Sequence, residues 1–94
     1  MDIELIKAAS RYFTLRAMAI IKSPRFGLNA FNEIGLSFAV YIAEGAGAPQ
    51  FLTVGAALKV IAAYDVGDVR NLDGKPCWVD ITDGKCVFHS PCLI

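Results

Sequence analysis

The segment Trp78-Val79-Asp80-Ile81-Thr82-Asp83-Gly84-Lys85-Cys86-Val87-Phe88-His89 decides the fold class of this 94-residue chain. Two runs of strand-forming residues flank the dipeptide Asp83-Gly84, the preferred pair for a two-residue type I′ turn. The segment therefore predicts a C-terminal β-hairpin. Its pairing follows by counting outward from the turn: Thr82 with Lys85, Ile81 with Cys86, Val79 with Phe88, Trp78 with His89 and Cys77 with Ser90.

This register bears on the three cysteines and the single histidine, which together look like a zinc ligand set. Because side chains alternate between the two faces of a strand, Cys86 and His89 point to opposite faces. Cys77 lies about 13 Å along the strand from the partner of Cys86. We therefore expect no metal, no cofactor and no enzymatic activity, and we expect Cys77, Cys86 and Cys92 to be reduced thiols. A serine from elsewhere in the chain, Ser10, Ser23 or Ser37, stays open as a partner of the histidine.

Two segments upstream have helical periodicity. Residues 2–13 place apolar side chains at spacings of three and four, and Thr53 is a natural N-cap for a second helix that ends at Gly67. The second helix is expected to turn one apolar stripe toward a sheet. The stripe residues are Val54, Ala57, Leu58, Ile61 and Tyr64.

The remaining segments predict strands and turns. Residues 34–43 alternate large and small side chains and form the clearest strand, while residues 14–21 form either a strand or a continued helix, closed by Lys22-Ser23-Pro24. Residues 26–32 and 44–49 are predicted to be irregular or turn segments, residues 50–52 a short returning strand, and residues 68–76 a turn anchored by Leu72. The predicted fold class is α+β. It consists of an antiparallel sheet of about four to five strands packed against one or two helices, with a C-terminal β-hairpin, in a single domain of residues 1–94.

The chain is rich in apolar residues for its length. Hydrophobic residues make up 55% of the sequence, and a domain this short buries only about two thirds of the surface that its unfolded chain exposes. Some large apolar side chains must therefore face solvent, where they usually mark a contact site. The sequence predicts a homo-oligomer or a tight protein partner.

The charge balance argues against one class of function. Nine basic residues balance nine acidic ones, so the chain lacks the positive excess that drives phosphate-backbone binding, and we expect no direct DNA binding. The first thirty residues carry five basic and two acidic side chains, which gives either ordinary solvated faces or a bipolar surface that orients a partner.

The acidic start and the shortness of every apolar run predict a cytoplasmic protein without a membrane segment.

Between residues 35 and 88 the chain resembles small proteins that are common in tailed-phage genomes. The shared features are a strand, a Gly-rich turn, a helix containing Leu58-Lys59-Val60-Ile61, a Leu72-x-Gly74-Lys75 turn and Cys77-x-Val79 entering a terminal hairpin. The resemblance implies a phage or mobile-element origin. Stand-alone phage domains of this size are often inhibitors of host defence, including anti-CRISPR proteins, and this step is an analogy rather than chemistry.

The first functional hypothesis is therefore a non-enzymatic, anti-CRISPR-like inhibitor in the host cytoplasm that binds a nucleic-acid-targeting effector protein. An apolar and arginine-bearing face would make the contact. The candidate contact residues are Arg11, Arg16, Arg25, Phe26 and Trp78.

An alternative is a nucleotide-signal binder with a pocket at an oligomer interface near residues 45–49 and the N-terminus of the Thr53 helix. A structural or regulatory oligomer is a third hypothesis.

Overall fold

In the computed structural model, which describes residues 3–42 and 47–93, five strands form one antiparallel sheet, and two helices lie on the same face of it. The elements in chain order are α1 (Ile3–Ala9), β1 (Leu15–Leu28), β2 (Ile34–Tyr41), β3 (Gly47–Thr53), α2 (Val54–Tyr64), a short 3-10 helix (Val69–Leu72), β4 (Pro76–Thr82) and β5 (Lys85–Pro91). The predicted α+β class, the antiparallel sheet and the C-terminal hairpin are confirmed.

The first strand organises the sheet because it belongs to two ladders. The strand order is β3-β2-β1-β4-β5, so the N-terminal half of β1 pairs with β4 and its C-terminal half pairs with β2. The helix α2 connects β3 to β4. This connectivity is the Greek-key order of a five-stranded OB-type barrel that is left partly open.

A single side chain joins the two edge strands of the curled sheet. The Nε2 of Gln50 on β3 donates to the carbonyl oxygen of Cys86 on β5 (2.8 Å), and its Oε1 accepts from the backbone N–H of Phe88 (3.0 Å). The primary amide thus pairs with β5 as a backbone amide of a neighbouring strand would. Beneath it the rings of Phe38 and Phe88 meet edge to face, with centroids 5.5 Å apart.

The core lies between the helices and the inner face of the sheet. Alternate residues of β1, β2 and β4 point inward, and α2 adds Ala57, whose small side chain lets the helix approach the strands closely. Each large aliphatic side chain buried here stabilises the fold by about 1.5–3 kcal/mol relative to leaving it exposed. The predicted anchor Leu72 is fully buried. The buried cluster is Ala19, Ile21, Leu36, Phe38, Val40, Ala57, Leu72, Cys77, Val79 and Ile81.

The first helix is shorter than predicted. It ends at Ala9 instead of continuing to Phe13, which is 57% exposed. Ser10 ends it because its hydroxyl donates to the carbonyl of Lys7 and accepts from the N–H of Gly84, each at 2.8 Å, while its own carbonyl accepts from the N–H of Asp83. A serine that bonds the backbone in this way competes with helix continuation. It also fixes the end of α1 to the β4–β5 turn.

The strand predicted for residues 14–21 is confirmed over a continued helix, but it does not stop at Lys22-Ser23-Pro24. Those residues form a bulge in the ladder with β2. Ser23 has a positive φ of 54°, and its N–H, which no strand pairs, donates to the carboxylate of Asp73 at 2.9 Å. The strand then continues to Leu28, so the prediction of irregular structure across residues 26–32 is wrong for its first half.

Boundaries around β3 and α2 also differ from the predictions. Pro49 lies inside β3 rather than in a turn, and it is tolerated because β3 is an edge strand. Residues 43–46, which include the first half of the predicted turn, lie outside the described residues. The helix α2 ends with Asp65 in the left-handed conformation (φ 53°), before Gly67, and the Thr53 side chain makes no capping hydrogen bond. Of the predicted stripe, Val54 and Leu58 are 39% and 58% exposed.

The turn of the C-terminal hairpin is as predicted, but the pairing shifts beyond it. Asp83 and Gly84 both have positive φ (50° and 76°), as a type I′ turn requires. The register holds as far as Val79 with Phe88. A bulge follows, so Trp78 pairs with Ser90 and Cys77 with Pro91 instead of with His89 and Ser90. His89 is the extra residue of this bulge.

Replacing Gln50 tests the closure of the sheet. We expect Gln50→Ala to lower the free energy of unfolding by about 1–3 kcal/mol, because two half-buried backbone groups of β5 lose their partner. Urea denaturation measures the change. Gln50→Glu is the matched variant: it keeps the length of the side chain and an acceptor for the N–H of Phe88, but it sets a carboxylate oxygen against the carbonyl oxygen of Cys86, so it should be at least as destabilising as Gln50→Ala. Equal stabilities of Gln50→Ala and the parent protein would show that the bridge does not hold the edges together.

Candidate binding surface

The outer face of the sheet is the face opposite the helices, and it carries exposed apolar side chains in adjacent rows of the ladders. Met18 on β1 lies opposite Trp78 on β4, and in the next row Val87 on β5 lies opposite Asp80. Met18 is 47% exposed, Trp78 36% and Val87 57%. These three residues are called the Trp78 patch below.

An ion pair borders the Trp78 patch. The Nε of Arg16 donates to Oδ1 of Asp80 at 2.9 Å, and its Nη2 donates to Oδ2 at 3.3 Å. The hydrogen bond from Arg16 lowers the pKa of Asp80, against a smaller opposing effect of desolvation. The pair is exposed and adds little stability, but it holds the guanidinium in one place beside the row of Met18 and Trp78.

The other half of the outer face, formed by β1, β2 and β3, presents two aromatic rings that lie on glycines. A Cβ at Gly47 would stand 2.6 Å from Cζ of Tyr41 and 2.9 Å from both Cε atoms, so this glycine lies under the ring face. A Cβ at Gly35 would meet the ring of Phe51 in a similar way, 2.6 Å from Cζ. Both rings therefore lie against glycine backbone on the outer face, where Tyr41 is 37% exposed and Phe51 is half-buried. We call Tyr41 and Phe51 the ring platform.

Two cations lie on the same half of the outer face as the ring platform. Lys22 stands opposite Ala39, and Arg25 stands opposite Ser37, which is itself opposite Phe51. Both basic side chains are exposed. Arg25 also lines a shallow cavity of about 250 Å³ together with Phe26, Gly27, Leu28 and Ser37.

The five residues predicted to bind a partner do not form one surface. Arg16, Trp78 and Arg25 lie on the outer face. Phe26 lies opposite Leu36 and so belongs to the inner face, where it is 46% exposed, and Arg11 lies in the turn between α1 and β1. The prediction missed Met18, Tyr41, Phe51 and Val87. The alternation of residues 16, 18, 20 and 22 along β1 would have identified Met18, had the whole segment been treated as a strand.

The three thiols are buried or half-buried, whereas His89 is exposed. Burial raises the pKa of the Cys77 thiol to about 12 and raises the pKa of Cys86 as well. The Sγ of Cys92 lies 3.9 Å from Sδ of Met18, and His89 Nδ1 lies 2.8 Å from Oγ of Ser90. Across residues 3–42 and 47–93 no group of three or more His, Cys, Asp or Glu side chains is arranged to hold a metal ion.

The alternative nucleotide pocket is only partly visible. Residues 45 and 46 lie outside the described residues, and residues 47–49 belong to β3 rather than to a loop. Beneath α1 a cavity of about 160 Å³ reaches this part of the chain, but most of its lining is apolar and it is smaller than the usual small-molecule site. The lining residues are Ile6, Lys7, Ile42, Gly47, Ala48, Ile81, Gly84 and Cys86.

Thiol labelling tests the burial of the cysteines. At pH 8 we expect an aromatic disulfide reagent to react slowly with Cys86 and hardly at all with Cys77 and Cys92, and to react with all three in denaturant. Because the folded pKa of Cys77 is above its ordinary value of 9.0, the unfolded chain ionises first, and stability should fall as the pH rises from about 9 to about 12. Rapid labelling of Cys77 in the native protein would contradict this packing.

Comparisons with known proteins give no relative. No family model, no curated protein and no solved structure matches the chain. None of the described helices is long and apolar enough to span a membrane. The comparisons therefore assign no family to this chain.

Proposed function

We propose that this protein is a non-enzymatic binding protein whose Trp78 patch contacts a partner protein. The observation that carries this is the exposure of Met18, Trp78 and Val87 in adjacent rows of an uncovered sheet face. Trp, Met and Arg are enriched in protein interfaces, and a few buried Trp, Tyr and Arg side chains usually supply most of the binding energy. The ion-paired Arg16 gives the patch a polar margin, which is the usual organisation of an interface.

The proposed partner is an effector protein of a bacterial nucleic-acid-targeting defence system, in the cytoplasm of the host. The resemblance to tailed-phage proteins supports this class of partner. The balanced net charge supports direct contact with the effector over mimicry of DNA, because a mimic needs a strong acidic excess. Inhibition then results because the bound protein blocks a surface that the effector needs for its activity.

Binding to purified defence effectors tests this proposal. We expect Trp78→Ala to weaken the complex by about thirtyfold, the effect of losing an interface anchor worth about 2 kcal/mol. Tyr12→Ala is the control, since Tyr12 is an 85% exposed aromatic residue in the α1–β1 turn, outside the sheet. Melting temperatures show whether both variants keep the fold.

Two results would overturn the proposal. Equal affinities of Trp78→Ala and the parent protein would remove the Trp78 patch as the contact surface. A complete lack of binding to a panel of such effectors would remove this class of partner. The combined replacement of Arg11, Arg16 and Arg25 by Ala separates the contribution of the arginines from that of the apolar patch.

The ring platform favours a second candidate function, the binding of single-stranded nucleic acid. Aromatic rings beside exposed cations are the usual way of stacking bases while neutralising phosphates, and OB-type barrels use the corresponding face. The expectation of no direct DNA binding follows from the charge of the whole chain, whereas Lys22 and Arg25 are concentrated on this half-face. Fold analogy alone assigns no function, so the specific support is the placement of Tyr41 and Phe51.

Fluorescence anisotropy with a labelled deoxythymidine oligonucleotide tests the second candidate. Binding should weaken as salt rises, and Tyr41→Ala should weaken it severalfold, because base stacking on an aromatic ring contributes about 1–3 kcal/mol. Trp78→Ala is the control on the other half of the face. No binding at low salt, or equal losses in both variants, would exclude the ring platform as a nucleic-acid site.

A further inference from the structure

The C-terminal part of β1 has an unpaired edge. Residues 25–28 pair with β2, whereas the ladder between β1 and β4 ends at Ile20. After Ile20, two residues form hydrogen bonds along this edge of β1. The backbone of Ile21 bonds the backbone of residues 74 and 75, and the N–H of Ser23 donates to Asp73. Among the described residues no strand pairs with the outer edge of residues 25–28. Such an edge is a template for adding another strand.

The side chains along this edge are apolar on one face. Phe26 is 46% exposed and Leu28 is 65% exposed, and both point to the inner face, beyond the region that α2 covers. Ile34, opposite Leu28, continues this apolar row and is 57% exposed. Residues 25–28 of β1 are called the β1 arm below.

We propose that the β1 arm pairs with the β1 arm of a second copy of this chain. Two identical segments pair in antiparallel fashion about a two-fold axis, so the surface is complementary to itself without any further requirement. With the axis at Gly27, Phe26 of one copy lies beside Leu28 of the other on the same face. The homo-oligomer expected from the apolar composition thereby acquires a defined interface.

Charge placement is compatible with this pairing. The axis at Gly27 puts Arg25 of one copy opposite Asn29 of the other, so the two arginines do not face each other across the new ladder. Gly27 on the axis adds no side chain between the strands. The paired segment is short and buries less surface than a standard interface, so the dimer is a weak one, with dissociation in the micromolar range.

Sedimentation velocity across a range of concentrations measures this dimer. The parent protein should change from the 10.1 kDa monomer to twice that mass as its concentration rises through the micromolar range. Leu28→Asp should abolish the change, because each introduced carboxylate would lie beside the Phe26 ring of the other copy and lose water without gaining a partner. Val87→Asp, the same change at an exposed strand residue of the outer face, should leave the dimer intact.

A charge-swap variant tests the register. In the double variant Phe26→Lys with Leu28→Asp, the introduced lysine of one copy faces the introduced carboxylate of the other, so the dimer should return at low salt. Failure to recover it would overturn pairing about Gly27, and a parent protein that stays monomeric at all concentrations would overturn self-association. Loss of the dimer in Val87→Asp but not in Leu28→Asp would place the interface on the outer face. Circular dichroism checks folding, and Leu28→Ser replaces any variant that does not fold.

Discussion

The whole architecture depends on one strand serving two ladders. The strand β1 has fourteen residues, of which the first half pairs with β4 and the second half with β2. The bulge at Ser23 and Pro24 lets the strand bend between these two halves. The carboxylate of Asp73 accepts the N–H that the bulge leaves unpaired. The curl that results brings β3 and β5 near enough for Gln50 to join them. Within the part of the chain that the structure describes, it also leaves the outer face of the sheet without helices and the outer edge of residues 25–28 without a pairing strand.

These two uncovered regions explain where the apolar surplus of the chain goes. A core built on one face of a small sheet has room for only about half of the large apolar side chains, because alternate residues of each strand point away from it. Those residues appear on the outer face as the Trp78 patch and the ring platform. The β1 arm is a separate case, since Phe26 and Leu28 point to the inner face but extend beyond the reach of α2. The surfaces are therefore distinct, so the proposed partner protein and the proposed second copy would not compete for the same residues.

The sequence predicts local structure well and long-range placement poorly. Period-two alternation in β2 and the Asp83-Gly84 turn depend only on neighbouring residues, and both predictions are confirmed. The continuation of β1 through Pro24 depends on Asp73, fifty residues away, and the early end of α1 depends on a bond between Ser10 and Gly84. No local pattern contains either contact. The same limit explains the predicted contact residues: which of Arg25 and Phe26 points to the face of Arg16 depends on how the chain crosses the bulge, and local periodicity does not reveal this.

The bond between Ser10 and the last turn has a consequence for how the chain acquires its structure during synthesis. The helix α1 has only seven residues, too few to be stable alone, and its anchor at Gly84 is synthesised 74 residues after Ser10. The first half of β1 likewise waits for β4, about sixty residues later. Nascent chains would therefore expose the apolar strands β1 and β2 until β4 and the β4–β5 turn have emerged, and chaperones can bind them during that time.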